Sequence, residues 1–116
     1  MFLFYLKIGI MNWIILIMAS VFEVSMTFCL GKTKSVDGLS LWWWVAAFVV
    51  SAILSMGLLA KATQTLPIST AYPVWTGIGA VGTVILGILF FHEPITVARL
   101  FFISTLIISI IGLKIV

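Results

Sequence analysis

One ionisable side chain stands out by its setting. Glu23 lies in an apolar run from Met11 to Leu30, with no other charge between Lys7 and Lys32. An ionised carboxylate at membrane depth costs about 2.5–3.5 kcal/mol on insertion scales, so such a group marks a functional site by default, usually one that handles ions or protons. At helical spacing, Ala19, Ser20, Met26 and Thr27 sit four before, three before, three after and four after Glu23 and share its face. That face is small and weakly polar, as expected where a helix borders a cavity. Tyr72 and Trp75, three apart on a later segment, supply an aromatic wall. A carboxylate beside an aromatic wall is a site for an organic cation. The structural alternative is a buried carboxyl hydrogen-bonded to a neighbouring helix.

Other chemistries find little support. His92 and Cys29 are each single residues of their kind, which supplies no metal-ligand set. Cys29 has no partner for an intramolecular disulfide and reads as packing, and His92 reads as an interfacial residue. No nucleophile–base constellation is apparent, so an enzyme is the least favoured class, and nothing calls for a cofactor. The run from Gly77 to Gly82 matches the glycine spacing of a dinucleotide fingerprint, but it follows no strand of a βαβ unit. Asp37 and Glu93 fall at loop positions and read as solvated.

The elements that must position these residues follow from composition. The chain has 116 residues, 64% hydrophobic and 8% charged, against roughly 25% charged in a soluble domain. Mean hydropathy is +1.37. That is too little polar surface for a water-soluble globule, so the chain reads as an all-α integral membrane protein in contact with lipid. Its net charge of +3 comes from six scattered Lys and Arg. With no basic stripe, these are flanking charges that orient helices rather than a nucleic-acid surface.

Four spans are predicted, at about 11–30, 41–61, 69–91 and 95–115, forming a single four-helix domain over 1–116. Each is near the ~20 residues that a ~30 Å hydrocarbon core requires. Residues 1–10 are an apolar N-terminal extension that either lengthens the first helix or leads in along the interface; they do not make a good signal peptide. Met11 is an alternative start. Gly31–Gly38 ends the first span in a polar loop. The second opens on Trp42, Trp43 and Trp44, suited to the headgroup level, and carries Ser51 and Ser55 on one face. The third holds Pro73 in its first turns, where a missing backbone donor costs least, and Gly77, Gly79 and Gly82, which permit close packing or a kink. Pro94 disfavours helix at Glu93. Ser104, Ser109 and Gly112 on the fourth span suit a helix–helix interface.

The charges are symmetric. With four spans, one side holds Lys7, Lys61 and Lys114 and the other Lys32, Lys34 and Arg99, three on each. The positive-inside rule works on a difference in Lys and Arg, and here there is none, so both orientations are expected. Four short helices can scarcely enclose a polar pathway alone. An antiparallel pair of copies would supply the inverted two-fold relation that larger transporters build from repeats.

These residues resemble the small multidrug resistance family of proton-coupled exporters, from about Asn12 to Lys114. The motif pieces are Phe22-Glu23-Val24, Leu66-Pro67, Thr70-Ala71-Tyr72, the run from Val74 to Gly82 that begins with Trp75, Glu93-Pro94, and Ile111 to Lys114. The third span looks most like the subtype that exports guanidinium and related small cations. The resemblance implies that Glu23 binds proton and substrate, that Tyr72 and Trp75 are aromatic site residues, and that Ser55 hydrogen-bonds near the glutamate. It implies an antiparallel dimer in the bacterial inner membrane, as a homodimer or with a heteromeric partner. The substrates it implies are guanidinium-like or quaternary ammonium cations. Two positions depart from the subtype, which has tryptophan where this chain has Met26 and alanine where it has Pro73. The drug-exporting subtype has glycine at the position of Met26. Non-transporting subunit and channel are the rival classes.

Overall fold

The computed structural model describes residues 2–116, which form four helices. Helix α1 is Phe2–Lys32, α2 is Leu39–Ala62, α3 is Ile68–Phe90 and α4 is Val97–Ile115. All four are long and apolar enough to cross a membrane. The three later helices lie within two residues of the predicted spans. The first does not start at residue 11. It runs unbroken from Phe2, so the extension lengthens the helix rather than lying apart from it. At ~1.5 Å per residue this 31-residue helix is about 46 Å long and overreaches a ~30 Å core.

The helix ends follow local chemistry. Gly38, at φ 64°, turns the chain into α2 in the left-handed region open to glycine. The Thr96 hydroxyl caps α4 by accepting from the Arg99 N–H at 3.1 Å. At the end of α3, the Gly87 carbonyl accepts from the N–H groups of both Phe91 and Glu93, with His92 between them at φ 54°. Pro94 follows, and the chain stays extended until α4. Pro73 sits inside α3 in its second turn, and the helix continues through it from Ile68 to Phe90.

Helix α1 is the centre of the packing. It lies most extensively against α2 and then α3, whereas α4 packs chiefly on α3 and meets α1 where the Lys114 ammonium lies 5.5 Å from the centroid of the Trp13 ring. The buried core is small: Leu16, Ala19, Leu59, Ala62, Ala71, Val74 and Trp75. No residue of α4 is buried. The three third-span glycines serve packing, each toward a different neighbour. A Cβ on Gly77 would lie 2.8 Å from Ile110 Cδ1 of α4, one on Gly79 would meet the Glu23 carboxylate, and one on Gly82 would meet a methyl of Val24. Close approach of backbones through small residues is how helices associate where lipid offers no hydrophobic drive.

Gly82 therefore sets the spacing of α1 and α3 at a β-branched neighbour whose rotamers are few. Gly82→Ala is expected to cost about 1–3 kcal/mol by overpacking. Gly57→Ala on α2, where a Cβ meets nothing within 4 Å, should leave stability unchanged. Thermal unfolding in detergent, followed by the monodisperse fraction, checks both.

Candidate functional site

Glu23 lies two-thirds of the way along α1, on the face toward α3. Its carboxylate fills the space that a side chain on Gly79 would need. Its Oε2 atom is buried and accepts no hydrogen bond from the described residues. Buried acceptors are nearly always paired, and an exception calls for a specific reason. The sequence alternative of a carboxyl satisfied by a neighbouring helix finds no such bond at Oε2.

One turn below, three helices are tied by a short relay. The Trp75 indole Nε1–H of α3 donates to Ser55 Oγ of α2 at 2.9 Å, and the Ser55 hydroxyl donates to the Ala19 carbonyl of α1 at 2.7 Å. Ser55 and Trp75 are buried. Ala19 precedes Glu23 by one turn and Trp75 precedes Gly79 by one turn, so this relay sits about 6 Å along the helices from the carboxylate. The Tyr72 ring lies 5.6 Å from that of Trp75, tilted 48°, and is 53% exposed at the outer surface of the chain. The structure thus joins Ser55, Trp75 and Ala19 directly and places Tyr72 against their outer edge.

One turn above, hydroxyls cross the same crevice. Thr27 Oγ1 and Thr83 Oγ1 are 2.7 Å apart, and each also lies within hydrogen-bond distance of a carbonyl of its own helix, Val24 for Thr27 and Gly79 for Thr83. With one proton per hydroxyl, one threonine donates across the crevice while the other donates to its carbonyl. Contacts therefore repeat every four residues: Glu23 on Gly79, then Thr27 on Thr83. Helices α1 and α3 run parallel here with their small and polar residues in register. Ser25 and Ser51 form a looser hydroxyl contact between α1 and α2 at 3.4 Å. Sequence reasoning did not single out Thr83, though its place four residues after Gly79 was a usable signal.

The remaining lining residues separate by role. Ser20 is fully buried, but its hydroxyl donates to its own helix, at the Leu16 carbonyl, 3.0 Å away. Met26 is half-buried in the same stretch of α1. Gly77 turns toward α4 and Gly82 toward Val24, so of the three glycines only Gly79 meets the carboxylate. Between α1, α3 and α4 lies a wholly apolar groove of about 400 Å³, which includes Val24, Gly82 and Ile110. Toward the α1–α2 loop the crevice widens into a cavity of about 550 Å³.

With this geometry in place, comparison with known proteins is informative. The family model described as Small Multidrug Resistance protein matches residues 11–107. A protein of Escherichia coli (strain K12) named "Guanidinium exporter" is 43% identical over 105 residues, covering 90% of this chain and 96% of that protein. A Proteus vulgaris protein of the same name is 42% identical over 105 residues, 90% of this chain and 97% of its own length. A Bacillus licheniformis protein named "Probable guanidinium efflux system subunit GdnD" is 41% identical over 109 residues, 91% of this chain and 99% of that protein. The chain is accordingly a multi-pass bacterial membrane protein.

The relay makes a stability prediction. Ser55→Ala strands a buried indole N–H and should cost about 1–3 kcal/mol. Ser25→Ala removes only the looser contact and should cost less than about 1 kcal/mol. Unfolding of the purified variants in mixed micelles with rising SDS distinguishes them.

Proposed function

The chain belongs to the small multidrug resistance family, and on that premise we propose that it is a single four-helix transporter domain. It works as a proton-coupled antiporter that exports guanidinium-like or quaternary ammonium cations. The observation that carries the reading is the half-buried Glu23, whose Oε2 is buried with no hydrogen-bond partner and whose carboxylate packs on Gly79. A carboxylate without a fixed donor is neutralised by whatever reaches it. A proton and an organic cation both do so, and they compete for the same oxygens. Relatives named as guanidinium exporters support the cation's class.

In this mechanism Glu23 binds proton or cation, and Trp75 and Tyr72 present aromatic faces that stabilise a cation. Ser55 holds the Trp75 ring in place through its hydrogen bond. Ala19, Ser20, Met26 and Thr27 shape the α1 side of the pocket. Met26 is flexible and polarizable, which suits a site that accepts more than one cation. An occupied, neutral site crosses between the two faces of the membrane at lower cost than an ionised one. Exchange is thereby coupled, and the proton gradient drives the cation outward.

We further infer an antiparallel homodimer, supported by the equal count of three Lys or Arg on each side and by an α4 with no buried residue. The alternative is a heteromeric pairing, favoured by the word "subunit" in the name of the Bacillus licheniformis relative. Reporters fused to the C-terminus should be active on both sides of the membrane. Activity on one side only would replace the homodimer with an oppositely oriented partner chain.

The central test is cation binding in detergent across about pH 5 to 9, with released protons followed by a dye. As pH falls, more Glu23 is protonated, so apparent cation affinity should weaken, approaching tenfold per pH unit on the acid side, ~1.4 kcal/mol each. Glu23→Gln should lose both proton release and high-affinity binding. Glu23→Asp should bind but transport poorly. Binding that is flat with pH, or a Glu23→Gln variant that still transports, rules the mechanism out and leaves Glu23 as a structural residue of an accessory subunit.

A further inference from the structure

Beyond Thr27 and Thr83, the cavity of about 550 Å³ at the loop end of the α1/α3 crevice is lined by groups that the Glu23 site does not use. Glu93 reads as a solvated loop residue in the sequence, and it is exposed, but its carboxylate is not directed away from the chain. It lies over Gly87, in the space a side chain there would fill. It thereby sits beside the last turn of α3, whose carbonyls carry the negative end of the helix dipole. A carboxylate at a helix C-terminus is mutually unfavourable with that end, and a cation between them relieves both. Phe28 and Phe91 face the same cavity with ring centroids 5.7 Å apart. The Phe28 ring already holds a cation: the Lys32 ammonium lies 5.7 Å from its centroid. The opposing charge in the cavity is Lys34, on a long flexible stem in the exposed loop.

The register of the crevice connects this cavity to Glu23. Thr27 and Thr83 form its inner wall, and they are one turn from Glu23 and Gly79. Gly87 is eight residues beyond Gly79, about 12 Å along α3. Two carboxylates thus lie in line along one crevice, separated by a hydroxyl pair. At about 550 Å³ the outer space has room for a small organic cation together with several waters, each of which takes about 30 Å³ in the liquid.

We propose that Glu93, with Phe28 and Phe91, forms an outer binding site for small organic cations, which load there before passing the Thr27–Thr83 pair to Glu23. The proposal rests on the antiporter reading for the cation's onward path, while the outer site itself does not depend on Glu23.

The probe is phenylguanidinium, titrated by calorimetry into the detergent-solubilised full chain. In Glu23→Gln the inner site is silenced, and a residual site at least tenfold weaker than wild type is expected. Adding Glu93→Gln should weaken this residual binding a further fivefold or more, Glu93→Asp should retain it, and Lys34→Met should tighten it at least threefold by removing the competing ammonium. Size-exclusion profiles and helical circular dichroism confirm that each variant is folded. Residual binding that ignores Glu93→Gln or Lys34→Met, or no residual binding at all, overturns the proposal. If wild-type protein transports no cation but the Glu93-dependent binding persists, the antiporter reading fails and the outer site stands. In wild-type background, Glu93→Gln should raise the half-saturating guanidinium concentration at least threefold without lowering the maximal rate. A fall in maximal rate alone also overturns the loading role.

Discussion

Everything in this small bundle is arranged around a carboxylate pressed against a glycine. Glu23 can lie in the α1/α3 interface only because Gly79 has no side chain. Placing it there costs desolvation that no fixed donor at Oε2 returns. The nearby packing holds the helices in spite of that cost. Below the carboxylate, the Ser55 hydroxyl links α3 to α1 through hydrogen bonds of 2.9 and 2.7 Å in a buried setting. Above it, Thr27 and Thr83 join the same two helices. The unpaired oxygen is thus bracketed by hydrogen-bonded groups on both sides.

The fourth helix stands outside this arrangement. It packs chiefly on α3, through contacts such as Ile110 against Gly77, meets α1 through the Lys114 ammonium 5.5 Å from the Trp13 ring centroid, and buries none of its residues. In lipid, exposed Ile and Phe side chains cost nothing, so an uncovered helix is not a folding defect. What α4 lacks, among the described residues, is a side-chain hydrogen bond to another helix. Its Ser104 and Ser109 hydroxyls donate to carbonyls of their own helix. That leaves α4 as apolar surface open to lipid or to another chain, while α1, α2 and α3 carry the site.

Much of this was legible in the residues, for identifiable reasons. An acid in twenty apolar residues is costly enough to be conspicuous, Trp75 stands out with Tyr72 by type and spacing, and the role of Ser55 near the glutamate comes from resemblance to a family. The helix boundaries followed from Gly, Pro and loop polarity. The sequence leaves residues 1–10 open between a longer first helix and an interfacial lead-in, and the structure takes the former, since neither Lys7 nor Gly9 breaks a helix that is otherwise apolar. Packing partners were harder to read. Three glycines at 77, 79 and 82 look alike in sequence, and only the fold assigns one to Ile110, one to Glu23 and one to Val24. Ser20 shares the face of Glu23 by spacing, but a serine in a helix readily bonds its own backbone, and it does so here. Glu93 was read from its loop position, and a fold of the chain over Gly87 cannot be deduced from local sequence.

The contrast between the two kinds of polar contact explains why one residue is suited to exchange and its neighbours are not. Ser55 and Trp75 have their donors committed to partners a few ångströms away, and changing those partners would leave buried groups unpaired at about 1–3 kcal/mol each. They hold geometry. Had Glu23 been given a lysine or arginine from an adjacent helix, it would be equally committed, and a mobile ion would have to displace that charge first. Breaking such a buried pair costs about 3–5 kcal/mol. No charged residue of the described chain forms an ion pair with Glu23, and every charge on α2 and α3 lies at a helix end or beyond it. The carboxylate is left with Gly79, the one neighbour that offers space and no charge. Under the proposed mechanism its counter-charge comes from outside the fold, and the occupancy of the site is exchangeable for that reason.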